Sequence, residues 1–295
     1  MIKRTRENAR RMRLAVALGL VLVLAGAAVI GLALGFRTLR EIWQEQCRIT
    51  DPELDVVITN NKDGSLDEQR RMVQPEIITF HFGLTNGANL ATIPFAELRE
   101  KLLGRIPNIR DLKIERRLPN RVTVEVIERD PAVRVAPLKG NANTGLVADA
   151  EGVVFPFYGN VSALPVIREA AQPGTPPGKR LAGMSAAALR LVEVAAVPEL
   201  AGFSVLEVDT SHSDYLLATL GDYSRAKIAW DHMLDDTRAS RESLQRQLKH
   251  LAKAIATRMI NQPTLWNATD FGKPSYFHAM DPARAAGQLE RRTVK

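Results

Sequence analysis

The sequence predicts an α+β protein. A single N-terminal transmembrane helix leads into a small unit ordered strand, helix, helix, strand, strand, and then a mixed, β-rich C-terminal unit. Three observations predict it. Leu14 to Phe36 is a run of 23 residues without one charge. A helical pattern at Phe95, Leu98 and Leu102 is followed by a run in which Val122, Val124 and Val126 alternate. Beyond residue 137, short apolar runs are separated by Gly- and Pro-bearing turns and broken by two helical patterns.

Charge is distributed unevenly. The chain of 295 residues has 40 bases against 33 acids, but residues 1–13 alone hold six bases and one acid. The remaining body is nearly neutral, which argues against a nucleic-acid partner despite a pI near 9.7. Bases immediately before an apolar run are retained in the cytoplasm, so the N-terminus is expected inside and the bulk outside. At about 1.5 Å per residue, 23 helical residues reach roughly 34 Å, enough for a hydrocarbon core of about 30 Å. A cleaved signal peptide is disfavoured, because its apolar region runs only about 7–15 residues. The single Cys47 excludes an internal disulfide and a Cys-rich zinc site.

The elements follow in order. Residues 37–53 form a connector, and Leu54 to Thr59 a first strand. Asn60 to Ser65 is turn-rich; placing Gly64 sixth in a calcium loop puts Thr59 first and Arg70 last, without the carboxylates needed there. Asp67 to Phe80 is expected to be helical, with Pro75 against it. Pro94 starts the next helix, and Gly104 with Pro107 ends it. Leu112 to Glu115 and Arg121 to Glu128 then alternate as strands do. Gly145 to Phe155 reads as a hairpin turning at Asp149-Ala150-Glu151-Gly152. Met184 to Val197 is a helix stopped by Pro198. Strands are expected over Phe203–Asp209, Asp214–Leu220, Arg225–Trp230 and Thr264–Thr269. Leu244, Leu248, Leu251, Ile255 and Met259 mark one face of a long helix. Its bases, Arg241, Arg246, Lys249, Lys253 and Arg258, are expected to stay in water while the leucines pack on a sheet.

Within this pattern, the stretch Leu54 to Val135, including NLATIPFAELREKLLGRIPNIRDLKIERRLPNRVTVEVIERDPAVRV, resembles a POTRA domain. The whole arrangement resembles the FtsQ/DivIB family of bacterial division proteins. The resemblance implies residues 1–13 as a cytoplasmic basic tail and 14–36 as the transmembrane helix. After a connector at 37–53 come a POTRA domain at 54–136, an FtsQ-type β domain at 137–280 and a disordered tail at 281–295. It implies a non-catalytic, single-pass inner-membrane scaffold at the division septum, with its bulk in the periplasm. The implied partners are small coiled-coil proteins of the FtsB and FtsL type and septal synthases of the FtsW and FtsI type. A POTRA-bearing export or assembly adaptor is the alternative; a membrane-tethered cell-wall enzyme is a more distant one.

No catalytic pattern stands against that reading. The five histidines have no metal-ligand spacing, and no H-E-x-x-H, G-x-S-x-G or G-x-x-x-x-G-K-[ST] occurs. No metal, cofactor or small-molecule substrate is expected. The binding signal is aromatic: Trp266, Phe271, Tyr276 and Phe277 place four of the chain's 16 aromatics within 12 residues. Aromatics bury much area at low entropy cost, so these four are expected to bind a partner or to fill the β domain's own core. Pro274, lacking an N–H, places that hairpin at a sheet edge where a partner strand can add. A second docking surface is expected along Arg121–Arg129, provided that strand is an edge.

Overall fold

The computed structural model describes residues 26–43, 45–62, 71–117, 119–200, 202–257, 265–269 and 279–280. It is α+β, with a β-rich C-terminal part. Two compact units divide it. The first is drawn from residues 1–59, 75–98 and 113–125, the second from 60–74, 99–112 and 126–295.

The expected transmembrane helix is corrected. Helix α1 covers 26–43, and its uncharged part stops at Phe36, before Arg37, Arg40 and Glu41. Eleven uncharged residues reach about 16 Å, roughly half a hydrocarbon core. Among the described residues no helix is long and apolar enough to cross a membrane. Residues 14–25 of the expected span lie outside the described residues, as do the basic tail at 1–13 and the tail at 281–295.

The strand, helix, helix, strand, strand order is present. A short helix α2 (Pro52–Asp55) leads into β1 (Val56–Asn60). Then come α3 (Pro75–Phe82), α4 (Phe95–Arg105), β2 (Ile109–Arg117) and β3 (Arg121–Glu128), with sheet order β1-β3-β2. Helix α3 starts at Pro75 rather than running through it, because proline suits the first helical turn and breaks an interior. Helix α4 ends at Arg105, two residues before Pro107. Ile78, Phe82, Phe95 and Leu102 of the helices are nearly fully buried, as are Val122, Val124 and Val126 of β3.

Buried polar groups are tied into this part of the chain. Asp55 Oδ2 accepts hydrogen bonds from the Thr50 amide at 3.0 Å, the Thr50 hydroxyl at 3.1 Å and the Asp51 amide at 3.2 Å; Asn120 Nδ2 donates to Oδ1 at 3.0 Å. Burial alone pushes the Asp55 carboxyl up, but these hydrogen bonds and the Arg121 charge hold it below its ordinary value. Glu128, 2 % exposed, accepts from Asn60 Nδ2 at 2.8 Å and from the amides of Met72 and Val73 at 3.0 and 2.7 Å. Cys47 is fully buried as a free thiol.

The larger sheet has nine strands: β4 (Val133–Pro137), β5 (Leu146–Ala148), β6 (Val154–Pro156), β7 (Val166–Glu169), β8 (Val205–Asp209), β9 (Leu216–Leu220), β10 (Arg225–Ile228), β11 (Leu265–Ala268) and β12 (Ala279–Met280). Their order is β12-β11-β10-β9-β8-β7-β4-β5-β6, with β4–β7, β7–β8 and β10–β11 parallel. Helix α5 (Gly183–Ala195) supplies the crossover between β7 and β8 and helix α6 (Arg238–Thr257) that between β10 and β11, whereas β4 reaches β7 through the β5–β6 hairpin. The β5–β6 turn is the expected one: Asp149 Oδ1 accepts from the amides of Glu151 and Val153, and Gly152 takes φ +79°. Helix α6 turns Leu244, Leu248 and Leu251 inward with no exposure, while Arg241, Arg246, Lys249 and Lys253 stay in water. Met259 and Arg258 lie outside the described residues.

Candidate partner-binding surface

Parallel pairing sets the two faces of the sheet at its C-terminal end. Ala226 aligns with Trp266, Lys227 with Asn267, and Ile228 with Ala268. Aligned residues share a face, so Trp266 lies on the face of Ala226, Ile228 and Ala268, all at most 4 % exposed. Gln247 of α6 donates to the Ala268 carbonyl at 2.8 Å, which marks this as the helix-covered face. Trp230 Nε1 donates to the Ser240 hydroxyl at 2.9 Å, and that hydroxyl donates to the His232 carbonyl at 2.8 Å, fixing the start of α6.

The opposite face carries Lys227 and Asn267. With Asp214, Tyr215, Ala229 and Thr269 they line an open cleft of about 340 Å³. His212 stacks on Tyr215 with ring centroids 4.2 Å apart, and Lys227 Nζ lies 5.1 Å from the Tyr215 centroid. Tyr215 is itself buried at 7 % exposure, so the cleft presents the half-buried Lys227 ammonium, Asn267 amide and Thr269 hydroxyl, groups that can bind backbone and side-chain groups of a polypeptide. The electrostatics beside α6 are internal. Burial lowers the pKa of Arg190, whose Nη2 donates to the Met233 carbonyl at 2.6 Å, while Asp236 raises that of Arg241 through a 3.0 Å ion pair.

Of the four aromatics expected at a partner surface, Trp266 is part of the main core at 4 % exposure. Phe271, Tyr276 and Phe277 lie outside the described residues. Among the described residues β12 ends the sheet, pairing antiparallel with β11 through Leu265–Met280 and Trp266–Ala279. The Arg121–Arg129 docking surface required an edge strand. Strand β3 instead lies between β1 and β2, so that condition is not met. Sequence reasoning missed His212, Tyr215 and Lys227: the first two stand three residues apart just before β9, and Lys227 reaches them across the β9–β10 hairpin, where it aligns with Leu217. Among the described residues there is no group of His, Cys, Asp and Glu able to hold a metal ion.

A strand, helix, helix, strand, strand unit ahead of a large mixed sheet is the class of a POTRA-bearing protein, and residues 68–129 match the POTRA domain of the FtsQ type. This match supports assignment of the chain to the FtsQ/DivIB family and points to a division-related protein acting through protein–protein interaction. No curated protein matches the chain.

Proposed function

We propose that this protein is a non-catalytic scaffold of the bacterial division machinery. It acts at the septum, with its folded units on the outer side of the inner membrane. It links small coiled-coil division proteins of the FtsB and FtsL type and helps recruit and regulate septal peptidoglycan synthases of the FtsW and FtsI type. The observation that carries this reading is the FtsQ-type match over residues 68–129, in a chain that continues into a nine-stranded sheet.

The C-terminal end of that sheet is the partner surface. Phe271, Tyr276 and Phe277 supply anchors, the cleft at Tyr215 and Lys227 receives part of the partner, and Trp266 supports the surface from the core side. Main-chain hydrogen bonds at an edge contribute affinity, and aromatic anchors contribute specificity.

Depletion tests the role. Filamentous cells with unfinished septa are expected, together with co-purification of other division proteins with the full-length chain. Normal division with an altered outer membrane overturns the proposal in favour of an assembly adaptor. A reporter active only outside the cytoplasm, fused after residue 280, is expected to be active; silence from a stable fusion reverses the placement.

A further inference from the structure

The three-stranded sheet has two outer strands among the described residues, β1 and β2, and their chemistry differs. Strand β2 carries six charged side chains in nine residues: Arg110, Asp111, Lys113, Glu115, Arg116 and Arg117. Both backbone groups of Leu112 are engaged. Its amide donates to Asp111 Oδ1 at 2.7 Å, and its carbonyl accepts from Arg99 Nε at 2.9 Å. Charge and side-chain capping are how natural edges are blunted against strand addition.

Strand β1 differs: it carries no charge, and among the described residues no side chain is bonded to the backbone of Val56 to Thr59. Its sequence is Val56-Val57-Ile58-Thr59-Asn60, with no charge and four β-branched residues in a row. Val57 is 46 % exposed and Leu54, just before it, 69 %. Val56 and Ile58 are only half-buried, whereas Val122, Val124 and Val126 on the neighbouring β3 are at most 1 % exposed. The apolar row is therefore incompletely covered at its β1 end. The Asn61 amide donates to the Val126 carbonyl of β3 at 3.0 Å. Amide directions alternate along a strand, so those of Thr59 and Val57 also face β3 and that of Ile58 faces the open side. Exposed Asp51 and Glu53 stand at the N-terminal approach to the strand.

We propose that β1 is a strand-addition site for an extended segment of another polypeptide. The segment pairs antiparallel to β1, the more stable arrangement, and carries small β-branched residues. Its C-terminal end bears a lysine or arginine, which antiparallel pairing brings beside Asp51 and Glu53. This inference rests on the docking role proposed above and adds a surface distinct from the C-terminal end of the large sheet.

The test uses the full-length chain and a fluorescein-labelled peptide, Thr-Val-Thr-Val-Thr-Lys, read by fluorescence polarisation and amide hydrogen exchange. Saturable binding is expected, with protection at 54–60 including the Ile58 amide. Val57→Lys and Thr59→Lys, both at exposed side chains, are each expected to weaken binding at least about tenfold without shifting the melting temperature. Glutamate in place of the peptide's lysine is expected to weaken it severalfold. Absence of saturable binding, equal binding by both variants, or protection at 109–117 instead overturns the proposal. If wild type and Val57→Lys co-purify the same division proteins equally, β1 is not a docking site and the scaffold role stands. If wild type co-purifies none, the scaffold role itself fails.

Discussion

Gln247 of α6 donates from Nε2 to the carbonyl oxygen of Ala268 in β11 over 2.8 Å, joining the long helix to the strand that carries Trp266. The glutamine is 9 % exposed and stands within the leucine stripe of its helix, between Leu244 and Leu248. A polar residue in that row is consistent with a fold that needs β11 held in register beside β10.

Gln247→Ala leaves the Ala268 carbonyl without its side-chain donor. That carbonyl still accepts from the Ala229 amide at 3.1 Å, so a loss of only about 0.5–1.5 kcal/mol, the worth of one hydrogen bond, is expected. A lowered melting temperature, with faster exchange of the 265–268 amides, checks it. Gln247→Glu is expected to be worse, because a carboxylate cannot donate to a carbonyl.

Trp266→Ala is expected to cost about 3–5 kcal/mol, the range for truncating a large buried aromatic. Trp266→Phe is expected to retain the fold and partner binding. Chemical denaturation combined with co-purification separates this core role from direct partner contact. Charge at Tyr276, by contrast, is expected to abolish co-purification while the denaturation midpoint stays unchanged.

Asp55→Asn is expected to cost about 1–3 kcal/mol at neutral pH, since an amide oxygen replaces a carboxylate that accepts from two backbone amides and a hydroxyl. The carboxyl is held below its ordinary value of 3.8 in the folded chain. Its stabilisation is therefore present above that value and is lost as pH falls through the lower folded one. Melting curves of wild type and variant at a series of pH values are expected to converge below about pH 4.

Glu128→Ala removes the acceptor for Asn60 and for the Met72 and Val73 amides. Roughly 3 kcal/mol is expected, because bonds to a buried charged group are the stronger ones. Hydrogen exchange at Met72 and Val73 is expected to rise well before global unfolding. Glu128→Gln, which keeps an acceptor oxygen, is expected to recover part of the loss.

Much of the architecture was legible from local patterns. Val122, Val124 and Val126 announced β3 because a buried face requires a period of two, and Leu244, Leu248 and Leu251 announced α6 because a helix returns to one face every three to four residues. The start of α3 was misjudged by extending a helix through Pro75, where proline's missing amide makes it a beginning. The expected membrane span rested on the uncharged run alone. In the structure the described helix carries only its last eleven residues before charge intervenes.

By itself the sequence determined the α+β class, the strand, helix, helix, strand, strand order and the POTRA resemblance, since these depend on periodicity, turn residues and short-range spacing. Which strands became edges and which face of β11 Trp266 occupies were decided only by tertiary structure. Strand order joins residues far apart in the chain, and a side chain's exposure depends on what packs above it rather than on its own neighbours in sequence.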